Sequence, residues 1–307
     1  MGDAHADLPT EGAGLEPPIA AVRVLNGGRA EQHREHRFGS RMPRLWWVFF
    51  SKEWVPLPLQ FFLIAHRDGP ILFDTGIDPA ITWDKGYISQ AIGRFLLPHI
   101  FRFDLSEADR IDHVLERAGV SAGDIRTAVI SHLHFDHTGG IAQIPQADLL
   151  VSEREWSILS EPHPEREWIL REHLEIPSAK WRQIRFSPTE DPLFDGFNGI
   201  HDVLGDGSMI LLPTPGHTRG SLSMLIRQAG WDPILLVGDL TYEAALLDQD
   251  VVPGVGEAEV LRASFAKVRA LKKRLPNLAI AASHDFAAAE IVARATGNPP
   301  ERNETRD

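Results

Sequence analysis

The sequence predicts an α/β protein with β-sheets in the middle and helices outside. Short apolar, β-prone segments recur along the whole chain, and segments with helical spacing of apolar residues lie among them. The chain has 307 residues, 43% of them hydrophobic and 24% charged, which is enough apolar material for a large core. No linker or repeat divides it. We therefore predict one domain over residues 21–295, with flexible tails at 1–20 and 296–307.

Strands are expected in both halves of the chain. Each candidate is a short run rich in β-branched or aromatic residues, and turn residues such as Arg67–Pro70 separate neighbouring runs. The predicted strands are Ala21–Leu25, Leu45–Phe50, Leu59–Ala65, Ile71–Phe73, Thr127–Ser131, Met209–Leu212, Leu222–Ile226, Ile234–Val237 and Leu278–Ala282. Ile81–Phe103 mixes aromatic residues, glycines and a proline without a clean period, so we predict a long connection there.

Four helices are predicted between these strands. Ser106–Ala118 places its apolar residues on one face, and Ser106 is a suitable N-cap. Glu257–Leu275 has the clearest apolar stripe of helical period. Glu153–Leu159 and Glu165–Leu174 are short and rich in charge. The alternation of strands and helices indicates layers rather than separate α and β domains.

Charge and cysteine content exclude several functions. The chain has 31 basic and 43 acidic side chains and a formal charge of −12, which argues against nucleic-acid and anionic-membrane partners. It has no cysteine, which excludes disulfides, iron–sulfur clusters, thiolate nucleophiles and cysteine-based zinc sites. Any metal must therefore be held by histidine, aspartate or glutamate, and 14 histidines are present.

Neither export nor membrane insertion is indicated. The first 20 residues lack the basic start and the apolar run of a signal peptide. The longest apolar stretches, Leu45–Phe50 and Leu57–Ala65, are far shorter than the roughly 20 residues of a membrane-spanning helix. We therefore expect a cytoplasmic protein.

A dense group of metal-binding residue types follows the predicted strand Thr127–Ser131. His132, His134, Asp136 and His137 lie within six residues of one another. The first two are two positions apart at a strand end, so both side chains can point to one side. The other two follow after the chain leaves the strand. A lone histidine here would most simply be a surface residue, but three histidines and an aspartate together predict a metal site.

Additional ligand candidates occur farther along the chain. Four local ligands exceed what one divalent metal with an open position needs, and they fall short of two such sites. His217, Asp239 and His284 each come directly after an apolar strand. Because strand ends often meet at one rim of a layered fold, we expect these three to join the first four.

Along the chain, the candidate motifs follow one another in the order Leu72–Gly76, His132–His137, His217, Asp239 and His284. This ordered set resembles the metallo-β-lactamase superfamily over most of the chain. The resemblance implies an αβ/βα sandwich, in which two facing mixed β-sheets have helices outside. It also implies two divalent metal ions per chain, with zinc expected and manganese, iron or cobalt as alternatives.

The resemblance also implies a role for each ligand. Carried over residue by residue, it places His132, His134 and His217 on one ion and Asp136, His137 and His284 on the other, with Asp239 bridging both. Asp74 and Asp285 are candidates to orient these ligands through hydrogen bonds, and either could equally be a turn or cap residue.

A tyrosine near the bridging aspartate suggests a substrate. In N-acyl-homoserine lactone lactonases, a tyrosine stands three residues after that aspartate and hydrogen-bonds the substrate carbonyl, and Tyr242 matches this position. Gly216–Thr218 and the pair His284–Asp285 also resemble those enzymes. Thr138 and Arg219 depart from the alanine and proline that are usual there.

The implied reaction is the opening of an N-acyl-homoserine lactone ring, which is quorum quenching. A hydroxide shared by the two metals would attack the carbonyl, Tyr242 would stabilise the oxyanion, and Asp136 would relay the proton. A glyoxalase II-like thioesterase, another lactonase and a metal-binding module without turnover are alternatives. A phosphodiesterase acting on RNA is disfavoured, because the only basic run, Lys272–Arg274, lies on a predicted solvated helix face.

Two segments rich in aromatic residues have several possible roles. Trp46–Trp54 and Ile81–Phe103 could form core packing, a homodimer contact, or a wall or lid for an apolar acyl chain. The expected partner is a small-molecule lactone with such a chain, and neither nucleic acid nor membrane is expected. His33 and His36 lie in the very polar stretch 29–37, which we predict to be a solvated segment.

Overall fold

The computed structural model describes residues 17–299, which form two mixed β-sheets with helices on their outer sides. The first sheet has seven strands in the spatial order β4-β1-β2-β3-β5-β6-β7. Its strands are β1 (Ile19–His33), β2 (Trp54–His66), β3 (Gly69–Phe73), β4 (Phe101–Asp104), β5 (Thr127–Val129), β6 (Asp148–Ser152) and β7 (Lys180–Ile184). The pairs β4–β1, β1–β2 and β2–β3 are antiparallel, and the pairs β3–β5, β5–β6 and β6–β7 are parallel.

The second sheet has five strands in the order β12-β11-β10-β9-β8. They are β8 (His201–Asp202), β9 (Met209–Pro213), β10 (Leu222–Ile226), β11 (Ile234–Leu236) and β12 (Ala279–Ala281). Only the β11–β12 pair is parallel. Each sheet is therefore mixed.

Ten α-helices are present among residues 17–299. They are α1 (Arg34–Phe38), α2 (Arg44–Phe50), α3 (Ala91–Ile100), α4 (Ile111–Arg117), α5 (Phe135–Thr138), α6 (Glu153–Trp156), α7 (Arg171–Leu174), α8 (Ala244–Asp248), α9 (Ala258–Arg274) and α10 (Ala288–Thr296). None of the helices in this part of the chain is both long enough and apolar enough to cross a bilayer.

Three apolar layers hold the elements together. One lies between the sheets, where Phe62 and Phe73 share a buried cluster with Met224 and Leu236. A second lies between the first sheet and its outer helices, and includes Leu115 of α4. A third covers the second sheet with the apolar stripe of α9, which buries Leu261, Phe265 and Val268. This helix–sheet–sheet–helix order confirms the predicted αβ/βα sandwich.

The prediction of a strand at Leu45–Phe50 is wrong, because this segment is helix α2. Its sequence is apolar on every side, so it has neither the period of a strand nor that of a helix. Only Trp47 and Val48 are buried in it. The predicted connection Ile81–Phe103 is also wrong in part, since it contains α3 and the start of β4.

The polar stretch 29–37 is not solvated as a whole. Strand β1 shifts register between Asn26 and Arg29 and then continues to His33, paired on both sides by β2 and β4. His33, at the end of β1, is buried, and so is His36, which follows on α1 and packs against Trp47 and Phe101. Pairing from both neighbours overrides the local polarity, which is why composition alone gave the wrong expectation.

Other elements differ in their bounds. The helix predicted at Ser106–Ala118 breaks at Arg110 into a 3₁₀ turn and α4, and the turn begins with a capping box between Ser106 and Asp109. The helix predicted at Glu165–Leu174 is interrupted by Trp168, whose φ is +61°. Strands β6, β7 and β8 and helices α8 and α10 were not predicted.

The predicted tails fall mostly outside the described residues. Residues 1–16 and 300–307 are not described. Strand β1 begins at Ile19 and α10 ends at Thr296, so the folded part extends slightly beyond 21–295 on both sides. The division into one domain and two flexible tails stays a prediction.

Candidate metal centre

The seven predicted metal ligands lie together at one end of the two sheets. His132–His137 span the loop after β5 and helix α5, on the side of the first sheet. The remaining three follow strands β9, β11 and β12 of the second sheet and are His217, Asp239 and His284. The loops of both sheets thus contribute to one site, which is common for layered folds.

Three imidazole nitrogens converge on one side of this site. Nε2 of His132 and Nε2 of His217 each lie 3.0 Å from Nδ1 of His134. Burial lowers the pKa of His134 to about 4 and that of His217 to about 3, and it holds the pKa of His132 well below 6.5. The rings are therefore neutral near pH 7, and their lone pairs are available to a cation.

The other side of the site holds two imidazoles and a carboxylate. Oδ2 of Asp136 lies 3.8 Å from Nε2 of His137 and 3.6 Å from Nε2 of His284. These three ligand atoms lie close enough to share one ion. The grouping is the one that the family pattern assigned to the second metal.

Asp239 lies between the two groups, with one oxygen toward each. Its Oδ1 is 3.1 Å from Nε2 of His137 and 3.2 Å from Nε2 of His284, and its Oδ2 is 3.4 Å from Nε2 of His217. A carboxylate with this orientation can bridge two cations.

The polar atoms of the site fit a pair of cations. Nε2 of His137 and Oδ1 of Asp239 are buried without a hydrogen-bond partner. Burial opposes ionisation of Asp239, but the imidazoles of His284, His137 and His217 outweigh it and hold its pKa well below 3.8. Burial opposes a charge on His137 as well, but the carboxylates of Asp239, Asp74 and Asp136 outweigh it and raise the pKa of that ring well above 6.5. A cation between Nε2 of His137 and Oδ1 of Asp239 would replace the proton of the ring.

Asp74, a candidate to orient the ligands, is hydrogen-bonded to one candidate ligand directly and is connected to a second through Ser131. Its carboxylate accepts hydrogen bonds from Nδ1 of His137 and from both the backbone N–H and the hydroxyl of Ser131, at 2.7–2.8 Å. The Ser131 hydroxyl in turn lies 2.9 Å from Nδ1 of His132. Both histidines therefore carry their proton on Nδ1 and turn Nε2 toward the site.

His284 is oriented in the same way by a backbone group. Its Nδ1 donates to the carbonyl of Pro58 at 2.8 Å, which leaves Nε2 free to face the carboxylates. Asp285, the other predicted orienting residue, contacts no ligand ring. Its two oxygens accept hydrogen bonds from the backbone N–H groups of Ala244 and Ala287, so it connects the loop after Asp239 to the start of α10.

Comparison with known protein families agrees with this geometry. The model of the family described as "Metallo-beta-lactamase superfamily" matches residues 55–284, which include every ligand described above. The chain belongs to the metallo-β-lactamase superfamily.

Relatives in this superfamily include named lactonases. The chain is 28% identical over 239 residues to "N-acyl homoserine lactonase AttM" of Rhizobium johnstonii, covering 76% of this chain and 83% of the relative. It is 30% identical over 249 residues to "Probable metallo-hydrolase Rv2300c" of Mycobacterium tuberculosis, covering 75% and 76%.

A solved superfamily member shares the fold. It is an N-acyl homoserine lactone hydrolase with the product N-hexanoyl-L-homoserine bound at its catalytic metal center. The TM-score is 0.68 at 22% sequence identity, covering 88% of this chain and 94% of the other. At this identity the likeness shows the fold alone.

Glu155 connects the loops of the site and was not predicted from the sequence. Its buried carboxylate accepts hydrogen bonds from the backbone N–H of Leu133 at 2.9 Å, the hydroxyl of Thr218 at 2.7 Å and the backbone N–H of Gly220 at 3.0 Å. It thereby connects the loop that carries His132 and His134 with the loop that carries His217. Burial raises its pKa from 4.5 to about 7 in spite of these bonds.

The two departures from the lactonase pattern leave the ligands in place. The side chain of Thr138 is buried, and its hydroxyl donates to the carbonyl of His134 at 2.9 Å. Arg219 lies at the edge of the site and pairs with Glu161 at 2.9 Å and Glu167 at 3.5 Å.

Tyr242 stands beside the metal ligands. Its ring stacks on that of His284, and it lines the cavity that opens over the site. Burial and the nearby carboxylates of Asp239 and Asp136 raise its pKa well above 10, so the phenol is a hydrogen-bond donor at any working pH.

His36, which lies in the stretch predicted to be solvated, packs edge-on against Tyr242. The ring centroids are 5.8 Å apart with an interplanar angle of 83°. Burial lowers the pKa of His36 to about 3, so the ring is neutral, and its Nδ1 is buried without a hydrogen-bond partner. The burial of His36 could not be predicted from the sequence, because a stretch this polar rarely forms a paired strand followed by a buried helix.

The cavity has a volume of about 270 Å³. The metal ligands and Tyr242 form one end of it. Most of its wall is apolar and includes Trp47, Val48, Ile100 and Phe101 from the two aromatic segments. The predicted apolar wall therefore exists, although the segments that form it are mainly helices.

Proposed function

We propose that this protein is a dinuclear metal-dependent lactonase that opens the ring of N-acyl-homoserine lactones. The observation that carries the proposal is the position of Tyr242, which lines the apolar cavity and stacks directly on His284. A neutral phenol at this place can donate a hydrogen bond to a lactone carbonyl. The lactonases among the relatives support the same substrate class.

The ligand roles belong to the proposal. We propose that His132, His134 and His217 hold one ion, that Asp136, His137 and His284 hold the other, and that Asp239 bridges both. We propose zinc as the ion, with manganese, iron and cobalt as alternatives that the same ligands suit. Two bound cations would supply hydroxide near neutral pH and polarise an ester carbonyl.

Side chains of the protein would stabilise the oxyanion, transfer the proton and bind the acyl chain. The Tyr242 hydroxyl donates to the carbonyl oxygen, where negative charge develops during attack. Asp136 lines the cavity and has one oxygen near His284, so its other oxygen can carry a proton to the leaving alkoxide. Apolar wall residues such as Trp47 and Phe101 receive the acyl chain and exclude water.

A thioesterase is the second candidate, because the same site could attack a thioester. A glyoxalase II-like enzyme would require unpaired cations for an anionic thiol carrier. Of the two arginines that line the cavity, Arg219 is paired with Glu161 and Glu167, which leaves Arg44 as the single cation of the lining that could meet such a carrier. Cytoplasmic location and homodimer formation stay predictions.

A substrate panel tests the proposal. Metal-loaded protein would be given homoserine lactones of several acyl lengths, a glutathione thioester and a phosphodiester, with acid release followed by a pH indicator. We expect kcat/KM for at least one lactone to exceed that for the other classes by tenfold or more. Faster thioester hydrolysis would favour the second candidate, and metal binding without any turnover would support a non-catalytic module.

A further inference from the structure

His36 is a buried histidine that the proposed reaction does not use. It lies on α1, is 6% exposed and lines the cavity beside the metal ligands. Its Nδ1 is buried without a hydrogen-bond partner among residues 17–299. Its backbone carbonyl accepts a hydrogen bond from the N–H of Gly254 at 2.9 Å, which anchors its backbone. Because buried polar atoms normally have a partner, an unpaired imidazole at a cavity indicates a group that the cavity receives.

The other titratable side chains of the lining that are not candidate metal ligands differ from His36. Apart from Tyr242 they are charged and only partly covered by protein. Three of them are exposed, which are Arg44, Glu167 and Glu257, and the half-buried Arg219 pairs with glutamates. Charged side chains in contact with water need no ligand. The two buried, neutral groups of the lining, on His36 and Tyr242, are therefore the ones suited to bind an uncharged polar substrate.

The aromatic rings of the cavity form a continuous series that starts at the metal ligands. The ring of Tyr242 lies 5.3 Å from that of His284, and the ring of His36 lies 5.8 Å from that of Tyr242, measured between centroids. Beyond His36 come Trp47 at 5.9 Å and Phe101 at 5.4 Å. His36 therefore contacts Tyr242 on one side and the apolar wall on the other.

We propose that His36 determines specificity by hydrogen-bonding the amide group of an N-acyl-homoserine lactone. This inference rests on the proposed function. In such a substrate the amide lies between the lactone ring and the acyl chain, just as His36 lies between Tyr242 and the wall. Burial lowers the pKa of His36 to about 3, so the ring is neutral and has one donor and one acceptor nitrogen. The amide offers one acceptor and one donor in return.

A different role for His36 would be to hold the ring of Tyr242 in place through their contact. That role would serve every lactone equally, because each would present its carbonyl to the same hydroxyl. A hydrogen bond to the amide would serve only substrates that have an amide. The two roles therefore predict different results for lactones with and without this group.

Kinetics on two lactones test the proposal with the full-length, metal-loaded protein. They are N-hexanoyl-homoserine lactone and α-heptyl-γ-butyrolactone, which carries a chain of the same length on the same ring carbon but has no amide. His36→Phe keeps a ring against Tyr242 and removes both nitrogens. We expect its kcat/KM on the first lactone to fall about tenfold or more, since the amide loses its partner. On the second lactone it should change by less than about twofold.

Binding of the corresponding five-membered lactams gives a second readout that needs no turnover. Calorimetry should show that the Kd of the acylamino lactam rises about tenfold in His36→Phe, whereas the Kd of the alkyl lactam stays the same. Phe101→Leu is the control, because Phe101 lines the apolar wall beside His36. It should weaken the binding of both lactams by a similar factor.

The outcomes separate this inference from the proposed function. Equal losses on both lactones, or no loss on either, would overturn the role of His36 and leave the proposed function in place. No turnover of either lactone by the unmodified protein with zinc bound would overturn the proposed function, and the inference with it. A loss confined to the compounds that have an amide would support both.

Discussion

The phenol ring of Tyr242 lies stacked on the imidazole of His284, with ring centroids 5.3 Å apart and planes inclined by 23°. Nε2 of His284 faces the carboxylates of Asp239 and Asp136. The stack therefore fixes a hydrogen-bond donor beside the metal ligands without using a polar contact to hold it. Aromatic stacking of this kind is independent of the hydroxyl, which can act on a substrate.

Replacing Tyr242 by Phe separates the ring from its hydroxyl. The variant should keep the stack on His284 and bind two metal ions, while kcat on lactones falls about 10²–10³-fold, the usual effect of removing one oxyanion donor. Steady-state kinetics and metal analysis check this. Tyr87→Phe is the matched control, because the other tyrosine of the chain stacks on His173 and does not line the cavity. Equal turnover of both variants would exclude the hydroxyl from the reaction.

Removing the charge of Asp74 should loosen the metal site. Asp74→Asn keeps the size but presents an NH₂ group to the donors that now surround it. Because Asp74 orients both His132 and His137, affinity for both ions should fall about 10–100-fold. Titration with zinc against a coloured chelator measures this. Unaltered affinity for both ions would show that the ligand rings hold their orientation without it.

Glu155 should matter for one ion more than for the other. Glu155→Gln leaves one of its three donors facing an amide NH₂, and the affected loops carry His132, His134 and His217. We therefore expect the first ion to bind about 10–100-fold more weakly while the second changes little. Glu153→Gln is the control, since Glu153 lies on the same helix but pairs with Arg185 at the surface. Equal loss of both ions would contradict this assignment.

His36 should make the fold sensitive to acid. Its pKa is about 3 in the folded protein and 6.5 when unfolded, so the unfolded chain binds the extra proton below pH 6.5. Stability from this group is complete above pH 6.5 and is lost as pH falls toward 3. His36→Phe should reduce the loss between pH 7 and pH 5 by about 2 kcal/mol. Urea unfolding of the metal-free protein at both pH values measures it, and identical losses in the two proteins would refute the explanation.

The convergence of the candidate ligands could be predicted because much of the pattern is local in sequence. His132–His137 place several ligands within one loop, and His217 and Asp239 each follow a strand whose apolar run is unmistakable. Residue type and strand position were sufficient there. The two mixed sheets followed from the family resemblance and not from periodicity.

The features that could not be predicted depend on contacts between segments that are far apart in the sequence. Glu155 follows an apolar run and looks like an ordinary first-turn acid, and only the approach of Leu133 and Gly220 gives it a role. His36 lies on α1 and is buried against the rings of Trp47, Phe101 and Tyr242. The α2 segment was mistaken for a strand because its apolar residues serve a buried wall and an exposed face at once.

The ligand set is divided between the sheets, with four side chains following β5 and three following strands of the second sheet. The ligands that follow either sheet alone are too few for two ions. Tight binding of two ions therefore requires that the two sheets have packed together. Two ions held as proposed would link the loops of the two sheets. Their removal should therefore weaken the contact between the sheets before it disturbs the strand pairing within either sheet.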